Sequence, residues 1–136
     1  MPQSNLKLAG VVEMRAKFRR LAKNFPTETG RALFQETEIE TTESKRRCPV
    51  DKGTLRGTIH TEGPFVENPG IASATIYTLI ACGGPAAPYA IYVHENLQAF
   101  HKVGQAKFIE SVVLESRPYM AQRVAKRINL NRALGA

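Results

Sequence analysis

A chain of 136 residues is long enough for one buried core and too short for two. Apolar residues make up 43% and charged residues 23%, ordinary globular usage that excludes collagen-like, low-complexity and wholly disordered readings. Lysine and arginine number 19 against 12 aspartates and glutamates, a net charge of +7, so an acidic partner or a space shared with nucleic acid is expected.

The excess is unevenly placed. Residues 1–47 carry a net +4, residues 48–116 a net −2 and residues 117–136 a net +5. The least polar stretch, residues 71–88, is broken by Ser73, Thr75, Thr78 and two glycines, and falls short of the roughly 20 apolar residues of a membrane span. The first ten residues lack the basic and then apolar pattern of a secretory leader, so residence in a cytoplasm without membrane contact is expected. Cys48 and Cys82, with no Cys-x-x-Cys and no histidine cluster at finger spacing, read as ordinary thiols in a reducing compartment.

Residues 8–25 place Leu8, Val11, Val12, Phe18, Leu21, Ala22 and Phe25 at helical spacing, opposite Lys7, Arg15, Lys17, Arg19, Arg20 and Lys23. This basic amphipathic helix is expected to stop at Pro26, whose ring removes a backbone donor. A second helix is expected from Thr27, carrying Ala32, Leu33 and Ile39 as a thin apolar stripe among Glu36, Glu40 and Glu43 and ending on Lys45, Arg46 and Arg47. Those three bases suit both a solvated helix end and a phosphate contact.

Residues 48–53, Cys-Pro-Val-Asp-Lys-Gly, form a turn. Alternation over residues 54–62 predicts a strand, bracketed by Gly63-Pro64 and Asn68-Pro69-Gly70, and residues 71–82 predict a second. Residues 83–88, Gly-Gly-Pro-Ala-Ala-Pro, form a loop, and residues 89–93 form either a third strand, the favoured reading, or a short helical turn. Phe108, Ile109, Val112 and Val113 mark one helix. Pro118 is expected to open another with Met120, Ala121, Val124, Ala125 and Ile128 inside and Arg123, Lys126, Arg127 and then Arg132 outside. Leu55, Ile59, Ile76, Tyr89, Tyr92, Val93, Phe108 and Val112 are expected to hold sheet to helix. The whole is one α+β domain over residues 1–136: a small antiparallel sheet packed by a long central helix and a C-terminal helix. Residues 1–26 form an N-terminal helix able to act as a mobile arm, and residues 129–136 a frayed tail.

Catalytic signals are thin. His94, Glu95 and His101 supply base, acid and ligand types, but the histidines are seven apart rather than four. On an extended segment His94 and Glu95 point to opposite sides. There is no Gly-x-Ser-x-Gly, and Gly83-Gly84 lacks the Gly-Lys-Ser/Thr ending of a phosphate loop. No enzyme activity, metal or cofactor is expected. The basic ends attract phosphates without any base-reading motif.

The run from Cys48 to Ile59, Cys-Pro-Val-Asp-Lys-Gly-Thr-Leu-Arg-Gly-Thr-Ile, joins Tyr89-Ala-Ile-Tyr-Val-His-Glu95 and Gly104-Gln-Ala-Lys-Phe-Ile-Glu110 in order. Together they resemble the tail-component family of tailed bacteriophages, typified by lambdoid siphophages, over residues 30–128. Many members of that family read acid-Gly-Thr where this chain has His94-Glu95-Asn96, and Pro-Phe-Leu where it has Lys107-Phe108-Ile109. The resemblance implies a non-enzymatic virion protein, assembled in the host cytoplasm, that serves head–tail joining or tail completion. It implies a ring of roughly six or twelve copies around the DNA channel, touching neighbouring neck, portal or tail-tube proteins. On this reading Pro49, Asp51, Arg56, Gly83, Gly84, Pro85, Tyr92, His94, Glu95, Phe100 and His101 are interface candidates, with residues 83–88 and 96–103 as docking loops. Arg56 is expected to bond across the sheet or to pair with an acid of the adjacent subunit. Arg15, Arg19, Arg20, Lys23, Arg123, Lys126 and Arg127 are candidates to face passing DNA. Two rivals remain: a sequence-independent DNA-binding protein and a small metal-dependent hydrolase.

Overall fold

Helical periodicity from residue 11 runs on without a break, and the computed structural model, which describes residues 10–50, 53–67, 74–98, 101 and 103–135, has one 37-residue helix, α1 (Val11–Arg47). At 1.5 Å per residue it is about 55 Å long. The expected stop at Pro26 and cap at Thr27 are therefore corrected: both lie inside α1. The proline removes one donor, yet the turns on either side of it are tied to the C-terminal segment. Asn24 Nδ2 donates to the Ala133 carbonyl at 3.0 Å, and the Asn129 N–H donates to Glu28 at 2.9 Å. Tertiary contacts that straddle the break hold the axis through it.

The second half of α1 reverses the expected pattern. Glu28, Glu36, Thr37, Glu40, Thr41 and Ser44 are buried beside Gly30 and Ala32, whereas Ile39 is exposed. Polar partners on both sides explain the inversion. Toward the sheet, Thr37 bonds Thr78 and Thr41 bonds Thr61, each at 2.6 Å. Gly30 lets α1 approach so closely that a Cβ there would lie 3.1 Å from the ring of Pro64.

The chain leaves α1 at Cys48 and forms a one-turn helix, α2 (Thr54–Thr58), where a strand is expected. The strand β1 (His60–Glu67) starts later and continues through Gly63-Pro64. A register shift between Glu62 and Phe65 accommodates the proline, which has no N–H to give the ladder. It pairs antiparallel with β2 (Thr75–Ala81), from His60 opposite Ala81 to Glu67 opposite Thr75. Among the described residues the sheet has these two strands alone; residues 71–73 of the expected second strand lie outside them.

Of the two readings of residues 89–93 the favoured strand is not formed and the short helical one is: α3 (Ala90–Glu95). Its apolar run is too short for periodicity to separate helix from strand. Tyr89 and Tyr92, expected in the core, are exposed there. The last long helix, α4 (Glu110–Arg127), contains Pro118 rather than starting at it. Ser116 donates to Glu40 on one side of that proline, and Arg127 pairs with Glu36 at 2.6 Å on the other. These contacts run α4 antiparallel along α1. Residues 129–136 are not frayed throughout: α5 (Leu130–Ala133) packs on α1 with Ala133 buried. Asn129 caps it by accepting from the Arg132 N–H.

The α+β class holds: a small antiparallel sheet lies on a long helix, with a C-terminal helix beside it. The apolar core is small and sits at the C-terminal end of α1, where Cys48, Leu55, Ile59, Ala87, Ala90 and Phe108 meet. Val112 is buried as expected; Val93 and Ile76 are half-buried.

Candidate functional site

Beside that core, β2, α3 and the start of α4 leave an apolar groove of about 440 Å³, with Ile80, Cys82, Ala90, Phe108, Ile109 and Val113 among its lining residues. Ile91 and Leu114 stand at its lip, 79% and 55% exposed. The groove exists because residues 89–95 coil instead of extending, which turns Ala90 inward and leaves Ile91 outside.

One wall carries charge. The imidazole of His94 stands edge-on to Phe108, 4.9 Å between ring centres. Its Nδ1 lies 2.7 Å from Glu95 Oε1, and its Nε2 accepts the Glu110 N–H at 3.4 Å. Lys107, at φ 55°, donates its N–H to the His94 carbonyl at 2.6 Å and sets its ammonium against both Glu95 and Glu110. That ammonium, and then His94, holds the Glu95 carboxyl below its usual range; the two carboxylates hold Lys107 above its own.

This geometry corrects the expectation that His94 and Glu95 diverge. Together with Glu110, which the sequence reading missed, they bring ligand atoms within 4.8 Å of one another. A divalent cation held there would have to displace the Lys107 ammonium from Glu95 and Glu110. As it stands the cluster is a rim that pins α3 to α4, with the single ammonium of Lys107 shared between two carboxylates. His101 is not part of it; its Nε2 is buried with no hydrogen-bond partner among the described residues.

The other interface candidates scatter. Among the described residues Arg56 does not bond across the sheet: it lies on α2 and donates Nη2 to the Cys48 carbonyl at 3.1 Å. Pro49 is half-buried. Gly83 donates its N–H to Thr58 Oγ1 at 2.9 Å, Gly84 bridges to Ala87, and Pro85 is exposed. Asp51 and Phe100 lie outside the described residues, as do parts of the 96–103 loop. The thiols are quiet. Burial pushes Cys48 up to about 11 and raises Cys82 as well, leaving little thiolate for chemistry.

The basic candidates divide into two groups. Arg127 pairs with Glu36 while its carbonyl accepts from Arg31 at 2.8 Å. Of the run at the end of α1, Arg46 pairs with Glu43, and Arg47 bridges Glu43 and Glu115. Arg123 lies over the Tyr119 ring at 5.5 Å. By contrast Arg15, Arg19, Arg20 and Lys23, with Lys17, have no acid within ion-pair distance among the described residues. The nearby acid in sequence, Glu13, pairs with none of them. No family model, curated protein or solved structure matches the chain.

Proposed function

We propose that this chain is a structural subunit of a tailed-phage virion. It works at the head–tail neck or the upper end of the tail as one copy in a ring around the DNA channel. The observation that carries the reading is the division of charge. The body's acids Glu28, Glu36, Glu43, Glu95 and Glu115 are held in ion pairs with the body's own bases, whereas the N-terminal half of α1 leaves five bases unneutralised and α4 leaves Arg117, Arg123 and Lys126 without an ion pair among the described residues. Such a surface attracts a phosphate backbone regardless of base order and releases it readily in salt. That is what a channel wall requires of DNA in transit. The ordered motifs from Cys48 to Ile59, Tyr89 to Glu95 and Gly104 to Glu110 point the same way, by their resemblance to phage tail components. Among the described residues the one candidate ligand set, His94, Glu95 and Glu110, is occupied by the Lys107 ammonium.

Light scattering over a concentration series, run beside a salt-titrated duplex-binding assay, tests the proposal. The expected result is a molar mass that climbs to a fixed multiple of 15.0 kDa, with weak duplex binding at physiological salt. A chain that keeps the mass of one copy at every concentration and binds duplex tightly is instead a sequence-independent DNA-binding protein.

A further inference from the structure

The N-terminal half of α1 carries a second feature besides charge. Val11, Met14, Phe18, Leu21 and Phe25 follow one another at spacings of three, four, three and four, the seam that a helix presents to a partner. Yet Met14 and Phe18 are 58% and 63% exposed. Arg15 and Lys17 flank the stripe. The C-terminal segment meets α1 at Asn24 and reaches back beside Arg20 through Gly135, and Met14 and Phe18 stay exposed beyond it.

The apolar groove lies at the other end of the molecule. Arg47, at the end of α1, touches Ser111 and Glu115, one turn from Leu114 at the groove lip. Phe18 and Arg47 are about 44 Å apart along α1. The stripe therefore cannot reach the groove of its own copy, but it can reach another's.

We propose that the N-terminal stretch of α1 in one copy docks, head to tail, in the β2–α3–α4 groove of the next. Met14 and Phe18 enter between Ile91 and Leu114, and Arg15 and Lys17 lie toward Glu95 and Glu110. The occupant is a second copy because the charges match: the groove wall sets two carboxylates against the single ammonium of Lys107, while the arm brings five bases and one acid. Pairing the stripe with another stripe instead sets five bases against five, which is repulsive. Helix-in-groove docking of this kind is anchored by apolar residues three, four and seven apart. Because stripe and groove are different surfaces, the contact is heterologous, and copies add until the rotation closes into a ring. The inference rests on the ring reading above and specifies which surfaces close the ring.

Two variants of the full chain separate the possibilities. Phe18→Glu disables the arm and keeps the groove; Ile91→Glu with Leu114→Glu disables the groove and keeps the arm. All three positions are exposed in the single copy, and circular dichroism checks that each variant retains its helices. The wild-type chain is expected to assemble into rings, each variant alone to stay monomeric, and an equimolar mixture to form heterodimers and nothing larger. The mixture retains only one compatible arm and groove per pair. If the wild type forms rings and either variant does so as well, the contact is wrong and the ring reading stands. A groove variant that dimerises alone shows arm-to-arm pairing. A wild type that stays monomeric overturns the ring reading and this contact together.

Discussion

Glu40 is the residue at which this structure carries an unfavourable charge. It is buried between α1 and α4, accepts from Ser116 and lies near Glu36. Burial first, and the Glu36 charge after the opposing Ser116 bond, raise its carboxyl above the usual range. Its folded form therefore prefers the proton, so its contribution to stability is fully present in acid and is lost as pH rises through the raised value. Glu28 and Glu43 behave oppositely. Hydrogen bonds from Arg31, and from Arg46 and Arg47, lower each to about 2, so their contribution is present above about 4.5 and is lost as pH falls toward about 2. Glu40→Gln keeps an oxygen for Ser116 and deletes the buried charge. Thermal melts across pH are expected to show it a few degrees more stable than wild type at neutral pH, with the difference vanishing in acid. A variant less stable at every pH contradicts this account.

At the scale of elements, the two prolines inside helices are the instructive case. Each costs its helix a hydrogen bond, up to about 3 kcal/mol in an interior. Pro26 lies where α1 passes from the arm to the packed body. Pro26→Ala is expected to slow amide hydrogen exchange over residues 11–22 and to raise the melting temperature; unchanged exchange there contradicts the idea that the proline weakens the arm's attachment. The helical periodicity of residues 11–25 was legible because local rules decide it. The continuity of α1 and α4 was not, because the contacts that carry each helix past its proline, Asn24 with Ala133 and Glu40 with Ser116, join residues about a hundred and about eighty positions apart. The buried acids of α1 were hidden for the same reason: a glutamate reads as solvent-facing until its partner, Arg127 for Glu36 or Ser116 for Glu40, is placed. Residues 89–95 read equally well as strand or helix. Coiling them is what brings His94 and Glu95 to Glu110 and opens the groove that no linear motif announces.

At the scale of the whole molecule, the shape and the charge have one common consequence. A rod-like α1 projects from one end of a small body, with an unsatisfied apolar stripe and unneutralised bases, and an apolar groove with a net acidic wall lies at the other end. In the proposed ring these two ends meet head to tail, and closure turns the bases of successive arms into a repeating basic surface. Electron microscopy of the purified full-length chain at high concentration tests this most directly. Closed rings of uniform size, with a central hole wide enough to pass duplex DNA, are the predicted result; single particles, or open filaments with no hole, contradict it.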